Sequence, residues 1–345
     1  MLLVLTMAAA LWGIGIVMKT PVGLRLGMIG ILYFAVVALH LLLPDGHALR
    51  NATGESAAPW LMLGGFFGLI LVYRFGLNWL RGKAVPAADP APTRPGALRD
   101  AELERYARHI VLREIGGAGQ KRLKSASVLV VGAGGLGAPA LQYLAAAGVG
   151  TIGVIDDDVV DAGNLQRQII HRDDTIGLPK VFSAERALKA LNPYVQIRPY
   201  KRRLTDEIAK DLFAEYDLIL DGTDNFTTRY LSNATAVALG KPLISGALSQ
   251  WEGQISVFHP AKGGPCYQCI FPEAPAPGLA PSCAEAGVLG PLPGVIGAMM
   301  AVEAVKQITG AGQVLRGEML IYDALWGETR KITLKPDPAC PVCGR

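Results

Sequence analysis

The sequence lacks what would mark a nucleic-acid binder, a histidine metal centre or a repeat protein. Its formal net charge is only +4, and its lysines and arginines form no dense cluster, so no nucleic-acid partner is expected. The 5 histidines are scattered without ligand spacing. No internal repeat is apparent beyond residue 98, which leaves a single α/β domain as the simplest occupant of that stretch. The first apolar stretch has neither a basic leading segment nor an obvious small-residue cleavage site, and two more apolar stretches follow it. That argues against a removable signal peptide.

Apolar residues are in surplus, at 51% of the chain, and the excess sits at the front. Residues 1–18, 26–43 and 60–80 each approach the length of about 20 residues that crosses a bilayer, and none has the polar face a soluble bundle needs. Three transmembrane helices are expected. Lys19 and Arg25 follow the first, and Arg81, Lys83, Arg94 and Arg99 follow the third, while Asp45, Arg50 and Glu55 give the middle loop no cationic excess. This pattern puts the N-terminus outside and residues 98–345 in the cytoplasm, as a multi-pass protein of the inner (cytoplasmic) membrane. Trp60, Tyr73 and Trp79 read as interfacial anchors. Residues 84–97, rich in proline and alanine, read as a semi-extended tether.

Beyond the tether, strand and helix alternate. An apolar run over 127–131 leads into Gly132-Ala133-Gly134-Gly135-Leu136-Gly137, then a helical stretch stopped by Gly148 and a second apolar strand at 151–155. Residues 180–191 read as a helix, and 195–200 and 217–220 as strands. Later extended runs at 254–258, 318–322 and 328–334, with a helix over 295–308, predict a sheet that turns mixed. The fold class is therefore α/β, a Rossmann-like, doubly wound, mostly parallel sheet.

The glycine loop lets backbone N–H groups approach phosphates at the positive end of a helix. Asp156, 19 positions after Gly137, stands where an acidic side chain holds a ribose hydroxyl. This much fits a nicotinamide or flavin site as well as ATP. A hydride-transfer pocket has no use for a further row of cations and carboxylates, however, and the chain carries one: Asn164-Leu165-Gln166-Arg167-Gln168, then Lys180, then Asp221-Gly222-Thr223-Asp224-Asn225.

In that order, from Leu98 onward and with Arg105-Tyr106-Ala107-Arg108-His109-Ile110 near its start, the chain resembles the MoeB/ThiF/HesA branch of the ubiquitin-activating enzyme superfamily. The resemblance implies an adenylyltransferase that uses ATP and Mg2+ on the C-terminal glycine of a ubiquitin-like sulfur-carrier protein ending in Gly-Gly, a MoaD-like carrier foremost. A ThiS-like carrier of thiamine synthesis, a tRNA threonylcarbamoyl-adenosine dehydratase and a membrane-tethered nucleotide-binding scaffold are the alternatives. It further implies that Gly132, Gly134, Gly135, Gly137, Asp156, Asn164, Gln168 and Asn225 surround the nucleotide. Arg167 and Lys180 would hold the phosphates, and Asp224 the magnesium. Arg108 would reach into the partner subunit of a homodimer. His109 stands where glutamine is common in the family, and Gly222 where cysteine is frequent.

The cysteines number 5. Cys266 with Cys269 and Cys340 with Cys343 form two C-x-x-C pairs, the number and spacing of a closed, structural Zn2+ site; redox disulfides would need an oxidising compartment. Cys283 is the odd one. The resemblance places it in a crossover loop, where in some members a cysteine joins covalently to the carrier or takes part in sulfur transfer.

Overall fold

The computed structural model describes residues 2–54, 56–83, 97–276 and 286–344, in two compact units, Met1–Ala88 and Asp89–Arg345. The tether expected at 84–97 lies almost wholly outside the described residues, and Cys283 lies outside them as well.

The first unit is helical: α1 (Leu2–Val17), α2 (Val22–Leu42), α3 (Ala48–Thr53) and α4 (Ala58–Lys83). Two of the three expected spans survive. Val22–Leu42, with mean hydropathy 2.1, and Ala58–Leu77, with mean hydropathy 1.6, are long and apolar enough to cross a bilayer, and 6% of each window is buried inside the fold. The first span is corrected. Helix α1 has 16 residues, about 24 Å at 1.5 Å per residue, against a hydrocarbon core of about 30 Å; it stops before Lys19, which takes φ +53° ahead of Pro21. Trp60 is also not an interfacial anchor. It is buried with Val4 and Val36, and its indole N–H donates to the Thr53 carbonyl at 3.3 Å. Tyr73 and Trp79 are exposed.

The second unit opens with α5 (Asp100–Arg105), α6 (Ala107–Ile110) and α7 (Gly116–Ser125), then alternates β1 (Ser127–Val131), α8 (Gly137–Ala147), β2 (Thr151–Ile155), α9 (Lys180–Leu191), β3 (Gln196–Tyr200), α10 (Asp206–Ala214), β4 (Leu218–Asp221), α11 (Phe226–Ala238) and β5 (Leu243–Leu248). It closes with β6 (Glu252–Phe258), the short α12 (Tyr267–Ile270), α13 (Pro291–Thr309), β7 (Glu318–Asp323) and β8 (Glu328–Thr333). The sheet runs β3-β2-β1-β4-β5-β6-β7-β8; its first five strands are parallel and the remainder antiparallel. Alternation explains why β1 is apolar from Val128 to Val131. Val128 and Val130 point into one buried cluster with Leu141, Ile296 and Met300, while Leu129 and Val131 point into the other with Phe213, Tyr216 and Phe258. Glycines stop two of the covering helices, Gly148 after α8 at φ +80° and Gly310 after α13 at φ +73°. Strand order reverses at β1, which pairs with β2 on one side and β4 on the other. The crevice above their carboxyl ends is where such sheets take ligands.

Candidate active site

The loop after β1 is built by close approach. Gly132 takes φ +93°, and a Cβ on Gly137 would stand 1.9 Å from the Gly132 carbonyl oxygen, so both positions demand glycine. The turn is held from two sides. Asp156 accepts from the Ala133 N–H at 2.8 Å and from the Asp158 N–H at 2.9 Å. On the other side, His171 Nε2 meets the Ala133 carbonyl at 3.0 Å and its Nδ1 meets Ser183 Oγ at 2.9 Å. Burial lowers the His171 pKa below the ordinary value, so the ring is neutral and donates to that carbonyl. Burial likewise pushes the Asp156 carboxyl up, against the pull of the Lys180 ammonium and the two N–H donors.

Lys180 is almost wholly buried at the start of α9, and its Nζ donates to Asp158 Oδ2 at 2.7 Å. Its backbone N–H donates to the Asp158 carbonyl at 2.9 Å, and a bridge between Val159 and Pro179 zips the two segments together. The ammonium is thereby aimed rather than mobile. Arg167 is oriented by Asn164 Oδ1 at 2.8 Å and the Gly163 carbonyl at 3.3 Å. Gln168 is buried, and its Oε1 has no hydrogen-bond partner among the described residues. Beyond β4, Asp221 accepts from Thr223 Oγ1 at 2.7 Å and the Thr223 N–H at 3.0 Å. Asn225 caps α11 by accepting from the Thr228 N–H at 2.8 Å. Arg229, also buried, donates to the Thr223 carbonyl, to the Gly246 carbonyl at 2.7 Å and to Ser245 Oγ at 3.1 Å, which fixes the loop that carries Asp224.

One cavity of about 990 Å³ brings Gly132, Gly134, Gly135, Asp156, Arg167, Gln168, Lys180, Asp224 and Asn225 together. Gly137 shapes the turn from outside that lining, and Asn164 acts one step back through Arg167. Arg108 is exposed on α6 and does not line the cavity. Asp158, Arg202, Arg203 and Arg229 also line it and were not anticipated. The Lys201-Arg202-Arg203 run directly after β3 was the available signal for two of them; Arg203 pairs with Asp157 at 3.1 Å. Chemically, the cavity offers the glycine loop, several lysine and arginine cations and the carboxylates of Asp156, Asp158 and Asp224 around a space large enough for a nucleotide and an attacking group.

The four paired cysteines converge as their spacing predicted. Sulfur separations are 3.6 Å for Cys266 to Cys340, 3.8 Å for Cys266 to Cys269 and 3.3 Å for Cys269 to Cys343, with all four ligand atoms within 4.8 Å of one another. Tetrahedral zinc with Zn–S bonds of about 2.3 Å places sulfurs about 3.8 Å apart, so the donor set fits.

Fold and cavity together define a class: an α/β protein with a glycine loop, cations and carboxylates gathered around a cavity at the switch point of its sheet. The ThiF family profile matches residues 106–342. A sulfur carrier protein adenylyltransferase of Thermus thermophilus is 53% identical over 247 residues, covering 70% of this chain and 91% of that protein. The probable adenylyltransferase/sulfurtransferase MoeZ of Mycobacterium tuberculosis is 51% identical over 259 residues, 74% of this chain and 65% of its own length. Bovine (Bos taurus) adenylyltransferase and sulfurtransferase MOCS3 is 47% identical over 263 residues, 76% of this chain and 57% of its own. Among solved structures, E. coli MccB with ATP superposes with a TM-score of 0.58 at 23% identity, over 66% of this chain and 70% of that one, a likeness of fold. The chain belongs to the ThiF family, the MoeB/ThiF group of E1-like enzymes, and is of the adenylyltransferase class.

Proposed function

We propose that the enzyme adenylylates the C-terminal glycine carboxylate of a ubiquitin-like sulfur-carrier protein, MoaD-like, with ATP. The products are an acyl-adenylate and pyrophosphate, formed ahead of sulfur transfer. The observation that carries this reading is the convergence of the glycine loop, Arg167, Lys180 and Asp224 on one cavity. A terminal carboxylate, with pKa about 3.3–3.7, arrives ionised and needs no general base. What it needs is charge neutralisation, because one anion must attack another. Arg167 and Lys180 take up charge that develops on the departing pyrophosphate, while the loop N–H groups and Asp156 hold the α-phosphate and the ribose in line. Asp224 would hold the magnesium ion, which supplies further charge neutralisation when bound. The relatives named for sulfur carriers support the substrate class.

In the same reading, Cys266, Cys269, Cys340 and Cys343 hold a structural zinc ion, and exposed Arg108 serves the cavity of a second copy in a homodimer. Helices α2 and α4 anchor the chain in the inner membrane. With two crossings, Lys19 before α2 and Arg25 in its first turn lie on the same, cytoplasmic side as the catalytic unit after α4.

The test is ATP–pyrophosphate exchange by the full chain with MoaD-like and ThiS-like carriers. Exchange is expected with the MoaD-like carrier, with Asp224→Ala and Arg167→Ala each lowering it by about 10²- to 10³-fold and zinc content unchanged. Absence of exchange with either carrier defeats the reading.

A further inference from the structure

Helix α11 makes two sets of contacts at once. Near its start, Arg229 grips the loop that carries Asp224. One turn on, Asn233 is wholly buried, and its amide is spent on the cysteine knuckle: Oδ1 accepts from the Tyr267 N–H at 2.9 Å, and Nδ2 donates to Cys266 Sγ at 3.6 Å. The Tyr267 N–H demands an acceptor, so the amide nitrogen is the atom that faces sulfur. Between them on the helix, Tyr230 donates to the Phe271 carbonyl at 2.8 Å, and its ring meets Tyr267 edge-on at 5.5 Å.

Tyr267 follows Cys266 directly in the chain, and Phe271 lies two positions past Cys269. Their rings, 4.8 Å apart, wall the nucleotide cavity. One short turn therefore supplies two sulfur ligands on one side and two cavity walls on the other. Asn233 sits at the join.

We propose that Asn233 is a positioning residue that couples the four-cysteine knuckle to the nucleotide cavity, so that metal occupancy and nucleotide binding strengthen each other. The proposal rests on reading the four cysteines as a zinc site. A metal held by Cys266 and Cys269 fixes the turn, and with it Tyr267 and Phe271. The Asn233 N–H steadies the Cys266 sulfur, as outer partners of metal ligands do. A nucleotide fixes the same walls from inside the cavity, and the Asp224 loop at the start of α11. Two ligands that favour one arrangement must each raise the affinity of the other by the same factor.

The experiment uses the purified full chain. Metal analysis comes first: one zinc per chain is expected, and its absence overturns the zinc reading and the proposal with it. A chromogenic zinc chelator is then titrated at equilibrium with and without a saturating non-hydrolysable ATP analogue and magnesium. The chelator concentration that removes half the zinc should rise roughly 5-fold or more with the analogue. An unchanged midpoint in a protein that holds zinc overturns the coupling and leaves the zinc site standing. Asn233→Asp keeps the acceptor for Tyr267 and sets a carboxylate against the sulfur. It should weaken zinc retention about 10- to 100-fold and abolish the analogue's effect; wild-type retention in that variant refutes the role given to Asn233. Because the titration needs no substitution, a variant that failed to fold would leave the test decisive.

Discussion

A methyl group placed at two glycines of the same loop separates the architecture of the turn from its use. In Gly137→Ala the new Cβ begins 1.9 Å from the Gly132 carbonyl oxygen and 2.9 Å from its carbon, both backbone atoms. Since Cβ contacts do not fall below 3.0 Å, the two ends of the turn must part by about 1.1 Å. That distorts the peptide of Gly132 and the Ala133 N–H bond to Asp156. Overpacking of this kind costs about 1–3 kcal/mol, and at about 2–4 °C per kcal/mol for a domain of this size a loss of about 2–12 °C in Tm is expected. In Gly134→Ala the nearest atom is Gln168 Nε2 at 3.7 Å, an ordinary contact, so the fold keeps its stability to within about 0.5 kcal/mol. The methyl, however, enters the cavity where backbone must approach phosphate. Scanning calorimetry paired with titration of an ATP analogue reads both effects: Gly137→Ala should lower Tm, while Gly134→Ala should keep Tm and weaken binding by roughly 10-fold or more. If Gly134→Ala bound the analogue as the unmodified chain does, phosphate would not sit on this loop, and the reasoning would fail.

Two further outcomes are expected. Burial lowers the pKa of both His171 and His259, so below the ordinary value of 6.5 the unfolded chain takes up protons that the folded chain refuses. Stability is therefore complete above about pH 6.5 and falls as pH drops, by up to about 1.4 kcal/mol per histidine per pH unit. Tm measured between pH 7.5 and 5.5 should fall less steeply in His171→Gln than in the unmodified chain; equal slopes contradict the assignment. With α2 and α4 as anchors, the full chain should sediment with membranes and resist carbonate extraction, whereas a chain lacking residues 2–83 should remain in the supernatant. Release of the full chain by carbonate would count against anchoring.

The parallel half of the domain was legible because its signals are local. Apolar runs ended by glycine marked β1 and α8, Asp156 closed the run of β2, and the helix read over 180–191 is α9. Strand β5 was not read: Leu243–Leu248 is short, carries Gly246 and is largely buried, so it shows no alternation. Helix α11 escaped for a better reason. Its buried face holds Thr228, Arg229, Ser232 and Asn233, so it lacks the apolar stripe by which a helix announces itself. Arg229 and Asn233 are buried because loop carbonyls and the cysteine knuckle satisfy them, a fact of tertiary structure invisible in the string of residues. Arg229 was overlooked on the same account, since an arginine among threonines and serines reads as solvated. At the front, composition counted the apolar residues of α1 correctly but not the turn at Lys19 that cuts the helix short, and Trp60 was read by its position near a helix end although it packs inward.

The pairing of Lys180 with Asp158 has a bearing on which guests the enzyme admits. A cation already in company is a poor lure for stray chloride or a lone phosphate, since each newcomer must displace a tethered carboxylate while bringing little charge of its own. In the function proposed above, a polyphosphate brings several negative oxygens and would engage the glycine loop and Arg167 in the same act. On that reading the resting lysine would behave as a turnstile, admitting the visitor whose grip elsewhere compensates for the partner it dislodges.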